Sequence, residues 1–190
     1  MHLNNTHMVL AKIAVIVMVV LFPMSFVASP MAENKPVINP DGSLNWQRLF
    51  QIGQKCSGGL PNELLLAIIW VESTGRKHAI NVNGGGSYFP RTAEDALRII
   101  QRYNTRNIDI GLMQVNWRWW GEYFNVSPAD LLKPDINICI GSRILRQYLD
   151  EYGWSWRGIG RYNATSRDRQ IRYAKRVNNK LQMIRELQQQ

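Results

Sequence analysis

Residues 62–73, NELLLAIIWVES, are apolar on nearly every side when wound as a helix, and Glu72 stands near their end. A helix without a broad polar stripe cannot lie on a surface, so the rest of the chain must fold around it. Ser57-Gly58-Gly59 marks a stop before it, and Pro61 stands at the expected first helical position. Glu72 falls four residues after Ile68 and seven after Leu65, on a stripe that should be buried. Burial disfavours the charged form of a carboxyl, so Glu72 there should hold a proton near neutrality, as a general acid must. A lone Glu at a helix end can equally turn out to water, and the helix by itself leaves both readings open.

The flanking segments supply the packing partners. Trp46, Leu49, Phe50, Gly53 and Cys56 recur at helical spacing, which points Cys56 inward. Residues 81–91, NVNGGGSYFPR, read as a loop or short hairpin. Thr92 to Asp95 matches a capping box with Asp in the place of Glu, and it opens a third helix through about Tyr103. NTRNIDIGLMQVN, 104–116, reads as a loop. Further helices are expected at 128–132, 137–151, 155–162 and 167–187. Strand signal is weak and no repeat occurs, so the expectation is a mainly α single domain with a small loop or hairpin region.

With 45% hydrophobic and 19% charged residues in a chain of 190, composition supports a globular domain and excludes a disordered polyelectrolyte. The net charge of +9 first raises nucleic acid, yet residues 33–156 are nearly neutral and residues 157–190 carry +7. Ile13 to Phe22, IAVIVMVVLF, is preceded by Lys12 and followed by Pro23 and SFVASPMA. Residues 1–32 thus read as a secretory signal, or as a retained anchor that would be the sole tie to a membrane. The run is short of the roughly 20 residues that span a bilayer. A polar leader follows at 33–42 and the domain at 43–190. Export would place Cys56 and Cys139, the two cysteines, where they can pair; two buried free thiols are the alternative. Past the signal His78 stands alone, so a His-based zinc site or a Ser-His-Asp triad lacks its parts. No phosphate-binding G-x-x-x-x-G-K-[ST] occurs.

Four segments, in order, carry a resemblance: Ala67 to Ser73 (AIIWVES), Asp109 to Asn116 (DIGLMQVN), Tyr162-Asn163-Ala164, and Tyr173 to Val177 (YAKRV), with Pro134, Asn137 and Gly141 between them. From about Leu60 to Val177 the chain resembles the soluble lytic transglycosylase-like (SLT) domain family. Within it the small specialised transglycosylases of secretion, conjugation and pilus systems are most similar. The resemblance implies a lysozyme-like α+β fold and an enzyme of the periplasm of a Gram-negative bacterium. It would cleave the β-1,4 bond between N-acetylmuramic acid and N-acetylglucosamine with Glu72 as catalytic residue, forming 1,6-anhydromuramoyl ends. No metal, nucleotide or other cofactor is implied. The implied partners are peptidoglycan glycan strands and components of an envelope machine, with no nucleic acid.

By the same resemblance Ser73 would fix the surroundings of the acid, and Gly111 would allow close backbone approach. Met113 and Gln114 would line sugar subsites, Tyr162 would orient the Glu72 carboxyl, and Asn163 would contact glycan. Asp109 is the candidate second carboxylate, either holding its loop or acting as a nucleophile, so lysozyme-type hydrolysis stays open. A glycan-binding assembly factor with little turnover is the other alternative. Two departures stand out. The family's A-Y-N-A-G is here Arg161-Tyr162-Asn163-Ala164-Thr165, and both cysteines sit C-terminal to the family's usual places, which implies a displaced but equivalent bridge. Trp117, Trp119, Trp120, Trp154 and Trp156 cluster near the motifs; Trp117 and Trp156 are expected in the core, and Trp119 or Trp120 on a sugar face. Ile171, Ala174, Val177, Leu181 and Ile184 make 167–187 an amphipathic basic helix.

Overall fold

The computed structural model describes Asn39, Asp41 and residues 43–188; the expected export signal and most of the polar leader lie outside them. In chain order the elements are α1 (Trp46–Ser57), α2 (Asn62–Ser73), β1 (Ile80–Val82), β2 (Gly86–Tyr88), α3 (Ala93–Tyr103), β3 (Ile108–Ile110) and β4 (Val115–Asn116). Then come α4 (Trp117–Trp120), α5 (Pro128–Leu131), α6 (Pro134–Tyr152), α7 (Trp156–Asn163) and α8 (Arg167–Gln188). The architecture is mainly helical with one small antiparallel sheet, as a lysozyme-like fold requires.

The apolar helix α2 is the centre of the core. Leu65, Ile68 and Ile69 have no exposed surface and share one cluster with Leu49 of α1, Ile138 of α6 and Val177 of α8. Burying each such side chain contributes about 2 kcal/mol. α1 packs on α6, α2 on α8, and α7 on both α6 and α8. The wrapping is incomplete on one side, where Trp70 is 43% exposed. Pro61 serves as the N-cap, so α2 starts one residue later than expected, and Thr74 closes it in the left-handed region at φ 53°.

The sequence reading of 104–116 as a loop needs correction, because β3 and β4 lie inside it. The sheet order is β2-β1-β3-β4, antiparallel throughout. Ile80, Val82, Ile108, Ile110 and Val115 face the core, and the register sets Asn81 opposite Asp109 and Asp109 opposite Asn116 on the other face. Strands of two or three residues offer a single alternation, too little for the pattern to announce itself. The cap of α3 also differs from expectation. Thr92 accepts from the Asp95 N–H, but the Asp95 carboxylate answers the Thr92 hydroxyl instead of its backbone N–H. A reciprocal box forms at α5, between Ser127 and Asp130.

α8 is turned relative to its expected stripe. Tyr173, Ala174, Val177 and Leu181 are buried, whereas Ile171 is 45% exposed. The buried Tyr173 ring takes the inward position that the apolar pattern assigned to Ile171.

Two links hold α6 in place. A disulfide joins Cys56 of α1 to Cys139 of α6, their Cα atoms 5.2 Å apart. Asn137, buried at 1% exposure, accepts from the Met113 N–H and donates to the carbonyls of Ile110 and Leu131, each at 2.8 Å. Both of its amide hydrogens and one lone pair of its oxygen are thus engaged by the turn between β3 and β4 and by the end of α5.

Replacing Asn137 with Ala should lower the unfolding free energy by about 3 kcal/mol or more in a urea melt, since three buried backbone groups lose their partner. The paired Cys56→Ser and Cys139→Ser variant should lose up to about 4.5 kcal/mol, the ceiling for a bridge closing a loop of 83 residues. Reductant should then have no effect on that variant while destabilising the wild type.

Candidate active site

The GLMQ turn, Gly111 to Gln114, sits under Glu72 and is pinned from three helices. Ser73 of α2 donates its hydroxyl to the Leu112 carbonyl at 2.8 Å. Asn137 of α6 takes the Met113 N–H, and Tyr162 of α7 donates its hydroxyl to the Met113 carbonyl at 2.8 Å. Gln114, held at φ 47°, commits its amide nitrogen to the carbonyls of Gly111 and Ala79. Gly111 has φ 82°, and a Cβ there would fall 2.3 Å from the Asn137 side-chain nitrogen. A Cβ at Gly141 would likewise fall 2.6 Å from the Met113 sulfur, so only glycine lets α6 approach the turn.

These contacts correct several expected roles. Gly111 makes room for Asn137. Met113 is fully buried against Gly141 and does not line a sugar subsite. The Tyr162 hydroxyl holds the turn instead of the Glu72 carboxyl. The phenol that faces Glu72 is Tyr173 of α8, which lacks a bond of full hydrogen-bond geometry yet interacts with the carboxyl. Burial pushes both phenols well above their ordinary range, so both remain protonated.

Glu72 is half-buried and meets solvent where it borders the cleft and a second, smaller cavity. Burial raises its pKa from 4.5 to about 7; Tyr173 opposes the shift, the Asp109 charge adds to it, and the Arg176 cation opposes it. Arg176 is positioned by a 3.0 Å bond from its guanidinium to the Val71 carbonyl.

Beside Glu72 opens a cleft of about 880 Å³. One wall is the outer row of the sheet, where Asp109 accepts from the side-chain amides of Asn81 (3.0 Å), Asn83 (3.0 Å) and Asn116 (2.7 Å). Ser87 extends the row with a 2.9 Å bond to Asn81. Tyr162, Asn163, Arg169 and Arg176 border the cleft from α7 and α8. Trp119, 67% exposed, and Trp120 also line it, while Trp156 is 45% exposed on a separate groove and does not belong to the core as expected. Among the described residues no three His, Cys, Asp or Glu side chains gather as a metal-binding set.

Of the residues singled out in the sequence, the structure thus brings Glu72, Gln114, Tyr162 and Asn163 to the cleft and places Ser73, Gly111 and Met113 behind it. Tyr173, Arg176, Asn81 and Asn83 were given no role by sequence reasoning. The YAKRV segment was a signal for the first two. The asparagines became visible only through strand register.

Comparison with known proteins agrees with this geometry. The family model "Transglycosylase SLT domain" matches residues 50–183. The chain is 30% identical over 135 residues to the invasion protein IagB of Salmonella typhi, covering 67% of this chain and 72% of that protein. It is 31% identical over 125 residues to the invasion protein IagB of Salmonella typhimurium strain SL1344, covering 62% and 66% respectively. No solved structure matches it significantly. The matched span includes Glu72, the GLMQ turn and Tyr162, and the chain belongs to the transglycosylase SLT-domain family: it is a lytic transglycosylase that binds peptidoglycan.

Proposed function

We propose that the protein is exported to the periplasm of a Gram-negative bacterium, where it opens the wall locally for an envelope-spanning assembly such as a secretion, conjugation or pilus machine. Three observations support that setting: the apolar leader within residues 1–32, the Cys56–Cys139 bridge, and relatives named as invasion proteins. In the reaction, protonated Glu72 gives its proton to the glycosidic oxygen as the bond to N-acetylglucosamine breaks. The resulting carboxylate then takes the proton of the C6 hydroxyl as that oxygen bonds to the anomeric carbon of N-acetylmuramic acid, which regenerates the acid and leaves a 1,6-anhydro ring.

The observation that carries this reading is the enclosed Glu72 carboxyl beside the cleft, its pKa raised to about 7, a group that can give a proton and take one back. A retaining glycosidase adds a second carboxylate as nucleophile, at roughly 5 Å from the first. Asp109, the candidate for that role, accepts from Asn81, Asn83 and Asn116 with its two oxygens and knits three strands together, which gives it a structural task. A buried acid is of no use to a pure glycan binder, which favours turnover over the binding alternative.

Digestion of purified sacculi followed by mass spectrometry should give anhydromuropeptides with wild type and roughly a thousandfold less with Glu72→Gln. Reducing ends would indicate a lysozyme, and no products from either protein a binder. Activity should decline as pH rises through about 7, where Glu72 loses its proton. A flat profile between pH 4 and 9 would contradict the acid role.

Stability should follow the same group. The folded pKa lies above the ordinary value, so the folded state holds the extra proton and wild type loses stability as pH rises from about 4.5 to about 7. Glu72→Gln should escape that loss. Its advantage over wild type should therefore grow between pH 4 and pH 8, by at most about 3 kcal/mol because the open side of the carboxyl is water-screened.

A further inference from the structure

A groove of about 660 Å³ runs between α7 and α8, on a face of the domain that takes no part in the chemistry. Trp156 and Arg157 form its α7 side, and Arg167, Ile171, Ala174 and Lys175 belong to its α8 side. None of its lining residues borders the catalytic cleft. At 3.6 residues per turn, Ile171 and Lys175 project from the flank of α8 opposite to Arg169 and Arg176, which reach the cleft; the buried stripe of Tyr173 and Val177 lies between the two flanks.

The groove combines apolar surface with uncompensated charge. Trp156 and Ile171 are each 45% exposed, and Ala174 is buried. Ile171 has the spacing of a core residue, but Tyr173 fills the core there and leaves it on the groove. Arg157, Arg167 and Lys175 stand exposed around this surface, and among the described residues none of them forms an ion pair with an acidic side chain. α7 carries no acid, and those of α8, Asp168 and Glu186, lie outside the lining. On α8 the lining recurs at 167, 171, 174 and 178, a stripe over three turns about 16 Å long. That length accepts three turns of a third helix, its apolar face set between α7 and α8 and its acids against the three cations. A bilayer fits less well, because an interfacial site presents its apolar side chains outermost, and these line a hollow.

We propose that the groove between α7 and α8 docks an acidic amphipathic helix of a protein partner. Aliphatic side chains of that helix pack on Trp156, Ile171 and Ala174, and its carboxylates meet Arg157, Arg167 and Lys175. The inference rests on the wall-opening role proposed above and deepens it: a partner seated there holds the enzyme in place while the cleft stays free for glycan.

The probe is a fluorescein-labelled helical peptide of about 15 residues, with leucines along one face and glutamates on its flanks, titrated by anisotropy against the purified protein. Binding should fall in the micromolar range. It should weaken about tenfold in Ile171→Glu and in Lys175→Glu, and less than about twofold in Arg185→Glu, an exposed position of α8 outside the groove. Peptides with serine for leucine, or lysine for glutamate, should not bind. Thermal melts should show the three variants folded, and sacculus digestion should give anhydromuropeptides at the wild-type rate with or without peptide. No binding of the first peptide, equal binding of the serine peptide, or unchanged affinity in folded Ile171→Glu and Lys175→Glu variants overturns the docking site while leaving the transglycosylase reaction standing. Binding of phosphatidylglycerol vesicles but not of peptide, lost in Ile171→Glu, overturns it in favour of a membrane surface. Peptide binding that follows the groove variants in a protein yielding no anhydro product supports the site and overturns the wall-opening role alone.

Discussion

Everything in the active cleft depends on a four-residue turn that has few backbone bonds of its own. Gly111 to Gln114 runs with two residues in the left-handed region, a conformation that a free chain would abandon. Side chains from three helices hold it there: Ser73 from α2, Asn137 from α6 and Tyr162 from α7. Each contact also ties its helix to the others, so the turn acts as a common anchor point for the domain. The glycines on either side of the contact have a packing role. Without Cβ atoms at Gly111 and Gly141, the Asn137 amide and the Met113 side chain can reach positions that any other residue would block.

The electrostatics follow from that frame. Glu72 stands at the end of a helix buried over most of its surface, and enclosure by protein dominates its proton affinity. Asp109 adds a negative field from the opposing sheet, while Arg176 and Tyr173 act against it. The balance leaves one carboxyl that titrates near neutrality beside another that is fixed in a network of amides. One group is suited to give and recover a proton; the other is suited to hold strands in register. Two carboxylates in one cleft thus acquire separate tasks from their surroundings alone.

Much of this was legible in the sequence, for reasons that can be named. α2 was readable because its apolar residues leave no polar face, and Glu72 because its position follows from helical periodicity. The helices at 128–188 were placed nearly correctly by the same periodicity. The sheet was hidden because strands of three residues carry almost no pattern, and with it was hidden the amide row that occupies Asp109. Of the motif residues named for sugar contact, Gln114 and Asn163 reach the cleft while Met113 sits behind it, since a motif marks that a residue matters without telling whether it faces ligand or backbone. Tyr173 lay in a quoted segment, yet nothing in its spacing could show that its phenol meets Glu72 across 101 positions of chain.

Active-site loops are commonly drawn from the least stable parts of a protein, where local opening costs little. The turn under Glu72 is built the other way. Freeing it means breaking contacts to α2, α6 and α7 at once, which amounts to unfolding the domain. Among the described residues the floor of the site is thus fixed by the same contacts that hold the helices together. Recognition rests on a groove whose shape exists before the strand arrives, and a long, stiff polysaccharide can thread into it at little further cost in conformational entropy.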